Sequence, residues 1–175
     1  MKKLFTVLAA ALMISVSASA QHEIGGIVGG MNGVSYKYWF NDNLALQADL
    51  AVGLTRAAGS TDGHSWDAGM YDFTINPNAL YHFELPMNFK IYTGGGLGFG
   101  LVNNLDHGNS HSVMGKFGLN AVAGVSYDFD NVPLVLAFDF RPGYGLGFQG
   151  ENDYHESGTT SYFDWKIGFA VRYKL

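Results

Sequence analysis

From Leu44 to Leu54 the chain alternates. Leu44, Leu46, Ala48, Leu50, Val52 and Leu54 hold the even positions, and Ala45, Gln47, Asp49, Ala51 and Gly53 stand between them. A period of two is the period of a β-strand, whose successive side chains point to opposite faces. The last segment repeats it, with Phe163, Trp165, Ile167, Phe169, Val171, Tyr173 and Leu175 on one face. Tyr162, Asp164, Lys166, Gly168, Ala170, Arg172 and Lys174 hold the other. Comparable apolar stripes run from Tyr71 to Phe83, Phe89 to Leu101, Phe117 to Phe129 and Leu134 to Phe148. A shorter one joins Val34, Tyr36, Tyr38 and Phe40, while glycines blur the faces of Glu23 to Gly30. No apolar stripe contains a charge.

The connections are of two kinds. Asn41-Asp42-Asn43, Leu85-Pro86-Met87-Asn88 and Asp130-Asn131-Val132-Pro133 read as short turns. Ala57 to Trp66, Asn103 to Ser112 and Gly150 to Thr159 read as longer polar loops, and Met31-Asn32-Gly33 as a tight turn. The short turns fall near 42, 86 and 131 and the chain ends at 175, a near-constant interval that makes one hairpin with one outer loop the repeat unit. Seven connections join eight strands, so the expected fold is all-β, an eight-stranded antiparallel up-and-down barrel.

Composition adds an address. Lys2 and Lys3, an apolar run from Leu4 to Val16, and Ala18-Ser19-Ala20 form a secretory leader over residues 1–20, cleaved before Gln21. The barrel is then a single domain over 21–175. No cysteine follows the apolar run, and with no Cys anywhere a lipid anchor, a disulfide framework and a thiolate metal site are excluded. The formal net charge of −5 becomes −7 without Lys2 and Lys3, which leaves no basic footprint for nucleic acid. Only 14% of residues are charged, and all 24 glycines lie after Gln21 at about 15%, twice ordinary usage.

Where those glycines stand orients the barrel. A soluble barrel turns its apolar face inward around a ligand, whereas an outer-membrane barrel turns it outward to lipid. Gly94, Gly96, Gly98 and Gly100 occupy the polar face, as do Gly143, Gly145 and Gly147. A crowded interior needs glycine there, and water does not. Phe163 and Trp165 lie toward the long loops, and Tyr81, Phe83, Phe89, Tyr127, Phe129 and Tyr173 toward the short turns, as two aromatic belts. The ten steps from Phe163 to Tyr173 span about 25 Å at a tilt of about 40°, the height of an outer-membrane apolar band. Lys37, Asp49, Asp72, Lys90, Lys116, Asp128, Asp139, Arg141, Asp164, Lys166 and Arg172 supply interior charges of both signs. The expected barrel is therefore transmembrane. Leu136, read as near mid-barrel, is expected to meet lipid and Gly145 to face the interior.

With its leader, eight strands, alternating turns and the closing run Phe169-Ala170-Val171-Arg172-Tyr173-Lys174-Leu175, the chain resembles the small outer-membrane β-barrels of Gram-negative bacteria. The outer-membrane protein A transmembrane domain and outer-membrane protein X are the nearest types. The resemblance implies residence in the outer membrane, both termini in the periplasm, no cofactor and no catalysis. It also implies recognition of the last strand by the barrel-assembly machinery. Phe169, Val171 and Tyr173 fit that signal, and Leu175 replaces its usual terminal aromatic residue. No peptidoglycan-binding domain follows Leu175, so no tether to the cell wall is expected. The expected role is structural or surface-interacting, through extracellular loops that meet an unknown partner, with lipid around a monomer.

Gly94-Gly95-Gly96-Leu97-Gly98-Phe99-Gly100 breaks the dinucleotide fingerprint at Phe99 and lacks the Lys-Ser/Thr of a phosphate loop. His64, His107, His111 and His155 lie in the polar loops near Asp62, Asp106, Asp153 and Glu156, without the spacing that fixes two metal ligands on one element. No metal site is expected. Ser161 and His155 are the nearest approach to an acyl-transfer pair, and nothing marks them as paired. The alternatives are a narrow pore, then a lipid-modifying enzyme or a secreted soluble ligand-binding barrel.

Overall fold

The computed structural model describes residues 22–61, 64–104, 113–149 and 158–175. The leader read over 1–20 lies outside them. Eight strands follow in chain order: β1 His22–Gly29, β2 Met31–Trp39, β3 Leu44–Thr61, β4 His64–Glu84, β5 Phe89–Asn104, β6 Val113–Asp128, β7 Leu134–Gln149 and β8 Gly158–Lys174. Each pairs antiparallel with the next, and β1 pairs with β8 from Glu23↔Lys174 to Gly29↔Gly168, which closes the barrel. Closure leaves no free sheet edge at that end. The first and last described residues meet there, where Leu175 N–H donates to the His22 carbonyl at 2.7 Å.

Parity decides the faces as the sequence predicts. Leu46, Leu50 and Val52 of β3 are exposed on the outer surface, while Ala45, Gln47, Asp49 and Ala51 between them are buried. In β8 the outward Phe163, Trp165, Ile167, Phe169, Val171 and Tyr173 alternate with the buried Tyr162, Asp164, Lys166, Ala170 and Arg172. The short turns near 42, 87 and 131 fall where expected. At Met87 and Asn88 both φ angles are positive (65° and 63°), the pattern of a tight hairpin turn that matches strand twist.

Three expectations need correction. The first turn lies at Gly29–Gly30, with Gly29 at φ 124°, and Met31-Asn32-Gly33 belongs to β2. Glycine on both sides of the bend hid its position. The segment read as a loop over Ala57 to Trp66 is mostly ladder, because β3 and β4 continue pairing out to Thr61↔His64. Leu136 lies close to the short-turn rim, opposite Tyr127 and Val171, and mid-height belongs to Phe140 opposite Ile167.

Candidate functional site in the barrel interior

The inward faces gather ten buried Asp, Glu, Lys and Arg side chains among the described residues, with His82 buried beside them. Glu23, Asp49, Asp72, Asp139 and Asp164 are matched in number by Lys37, Lys116, Arg141, Lys166 and Arg172. They form three layers. Near the short turns, Trp39 Nε1 donates to Glu23 Oε1 at 2.7 Å and Lys37 Nζ to His82 Nε2 at 3.2 Å. The same ammonium lies 4.8 Å from the Tyr92 ring centre, and Arg172 Nε donates to Ser35 Oγ at 2.9 Å. At mid-height Arg141 bridges two carboxylates, donating to Asp49 at 2.5 Å and to Asp139. Tyr92 also donates to Asp139, and Gln47 donates to Asp49 at 3.0 Å. Toward the long loops, Lys116 Nζ reaches Asp72 at 2.8 Å and Asp164 at 3.2 Å, and Lys166 Nζ reaches Asp72 at 2.8 Å.

Buried ions are expensive alone and tolerable when each finds opposite charge and hydrogen bonds. The mid-height and long-loop layers meet that condition by crossing the barrel. Near the short turns, among the described residues, Glu23, Lys37 and Arg172 have hydrogen bonds and no ion pair, and Arg172 Nη1 and Nη2 have no hydrogen-bond partner. Lys166 pairs with Asp164 of its own strand at 3.7 Å and more closely, at 2.8 Å, with Asp72 of β4. Arg141 makes both kinds of contact, along its own strand to Asp139 and across to Asp49.

Glycine makes room for the large interior groups. A Cβ built on Gly145 would lie 2.6 Å from Tyr162 Cζ, and one on Gly124 would lie 2.5 Å from Tyr92 Cζ. Each tyrosine thus lies over a bare backbone on a neighbouring strand. Among the described residues an interior cavity of about 30 Å³, room for water, lies beside Lys116, Arg141, Tyr162, Asp164 and Lys166.

The outer surface is the complement. At the short-turn end the rings of Tyr81 and Phe83 lie 5.0 Å apart, and Phe89, Tyr127 and Phe129 follow in contacts of 4.9 Å. His22 Nδ1 lies 2.6 Å from the Tyr36 hydroxyl, and Tyr38 meets Phe40 edge-on at 4.9 Å. The predicted short-turn belt is therefore present, and the β1–β2 hairpin extends it.

The remaining predicted residues stand apart. The inward parity of Gly94, Gly96, Gly98 and Gly100 in β5 places that run in the wall as packing space. His64 begins β4, while His107, His111 and His155 lie outside the described residues. Among the described residues no three His, Asp or Glu side chains gather as a metal site. Ser161 is exposed on the outward face of β8. Sequence reading missed Glu23, His82 and Tyr92 as interior groups. His82 and Tyr92 have inward parity between outward neighbours, so the signal was there to count. Glu23 precedes the glycines that blur its strand.

No family model matches the sequence, and neither does any curated protein. Solved structures do resemble it. The outer membrane protein OprG from Pseudomonas aeruginosa aligns at TM-score 0.56 and 14% identity, over 90% of this chain and 96% of that one. The N-terminal β-barrel domain of Pseudomonas aeruginosa OprF aligns at 0.53 and 17% identity, over 89% and 96%. Neisserial surface protein A gives 0.52 and 19%, over 89% and 94%. At such identities the likeness is one of fold: this chain has the fold of the small eight-stranded outer-membrane β-barrels.

Proposed function

We propose that this chain is an integral outer-membrane β-barrel of a Gram-negative envelope with a structural or surface-interaction role, non-catalytic, whose connections at the long-loop end meet an extracellular partner. The observation that carries the reading is an inverted distribution of polarity: ten Asp, Glu, Lys and Arg side chains buried inside, aliphatic and aromatic side chains exposed outside. A soluble ligand-binding barrel has the opposite order. In water this surface would present an apolar patch far beyond the ~300–600 Å² of an ordinary monomer. The matched interior charges and the small cavity favour a plug over a solute path. The leader over 1–20 and the closing strand with Phe169, Val171 and Tyr173 agree with export and delivery by the barrel-assembly machinery.

Cell fractionation tests the reading. The protein is expected in the outer-membrane fraction, released only by detergent, and faster on an unboiled gel than on a boiled one. Recovery from the periplasm without detergent refutes it.

A further inference from the structure

The first hairpin is the short one. β1 and β2 have 8 and 9 residues, whereas β3 to β8 have 16 to 21. Its tip ends level with Ile167, whose carbonyl accepts from Gly30 N–H at 2.7 Å. Below the tip the wall is eight strands around. Above it β3 and β8 face one another across the space that the hairpin does not fill, and among the described residues one pair, Ala58↔Phe163, joins them. Neighbouring long strands elsewhere share thirteen pairs or more. Among the described residues no other pair of neighbouring long strands has a ladder this sparse.

The ion cluster nearest the long loops lies directly inside this place. Asp72 stands on β4 opposite Gly53 of β3, and its Oδ1 lies 2.5 Å from where a Cβ on Gly53 would be. The Gly30 carbonyl oxygen is 3.0 Å from that same point. Lys166 rises from β8 with its Cβ against the hairpin tip, 3.3 Å from a Cβ built on Gly30. The 2.8 Å bond from Lys166 to Asp72 therefore ties β8 to the strand beside β3, across the sparse wall. Lys116, on β6, holds Asp72 and Asp164 from the far side.

We propose that the β3–β8 wall above the hairpin tip is a conformational seam able to part toward the bilayer, latched from inside by the Asp72–Lys166 pair. The proposal rests on the outward face being lipid-facing, which fractionation tests separately. Gly53 is part of the latch, because its missing side chain is the space the Asp72 carboxylate uses.

The chain has no cysteine, so two introduced thiols carry spin labels without background. Ala58→Cys with Phe163→Cys spans the seam, and Phe99→Cys with Phe117→Cys spans the complete β5–β6 ladder as a reference. Distances are measured by pulsed electron resonance on the full barrel in phospholipid vesicles, in the parent and in two latch variants. Asp72→Asn weakens the ion pair, and Gly53→Ala displaces the Asp72 carboxylate while keeping every charge. The parent is expected to show the short distance of paired strands at both positions. In both variants the seam pair gains a population longer by about one strand spacing, ~5 Å, with the reference pair unmoved. Seam distances that stay at the parent value in folded Gly53→Ala overturn the proposal, whether or not Asp72→Asn folds. Lengthening of both pairs together also overturns it, since that is a general loosening of the barrel.

Discussion

Ile167 and Leu136 carry side chains of similar size on the same outer surface, and they differ in depth. Ile167 sits at mid-height opposite Phe140, and Leu136 sits near the short-turn rim opposite Tyr127. Arginine on a lipid-facing site costs about 2–4 kcal/mol at the midplane and about 0–1 kcal/mol near the interface. Ile167→Arg is thus expected to fall in the first range and Leu136→Arg in the second, read from denaturant midpoints of the refolded barrel. Equal costs would remove the depth assignment. Gly145 tests the other face. An alanine there brings Cβ to 2.6 Å from both Tyr162 Cζ and the Phe117 carbonyl oxygen, so overpacking of about 1–3 kcal/mol is expected in the same assay. The inward and outward positions were legible because one apolar and one polar face leave a two-residue rhythm that no other element makes. Which inward charges meet across the barrel was not legible. Lys166 finds Asp72 through the curvature of a closed wall, and no spacing along the chain encodes that contact.

Elements show where that rhythm fails. The β1–β2 bend lies among Gly25, Gly26, Gly29, Gly30 and Gly33, where neither face carries a pattern to anchor a boundary. The β3–β4 hairpin extends past its apolar stripe, so hydrophobicity stops marking strand while pairing goes on. Pro77 and Pro142 mark the middle of two strands. The β4–β5 ladder lapses between Ile75 and Asn78, and the β6–β7 ladder between Asn120 and Ala123, as expected where a residue has no N–H to give. The turn between β4 and β5 offers a cleaner experiment. Met87 holds φ 65° with its side chain in solvent, a left-handed conformation that costs most residues about 1–2 kcal/mol and asparagine less. Met87→Asn is expected to stabilise the barrel by about 1 kcal/mol, seen as a higher denaturant midpoint at unchanged slope.

As a whole the molecule is a charged core in an apolar sleeve, and its stability depends on the charges staying matched. Removing Arg141 leaves the buried carboxylates of Asp49 and Asp139 without their cation, and breaking such a buried group costs about 3–5 kcal/mol. Arg141→Met is expected to lose that much, and restoring neutrality with Asp49→Asn in the same chain recovers part of it. A plugged interior also predicts a quiet membrane: the purified barrel in planar bilayers shows no stable unitary conductance, and persistent discrete steps would revive the narrow-pore reading. One further consequence concerns the order of the chain. Leu175 hydrogen-bonds to His22, so in a barrel begun at β1 a few-residue linker can join β8 to β1 and new termini can be opened between β5 and β6. Such a circular permutant keeps all eight strands and their neighbours, but moves Phe169, Val171 and Tyr173 from the end of the chain to its interior. Its refolding in vitro would report on the architecture alone, and its insertion in cells would report on whether the last strand must come last.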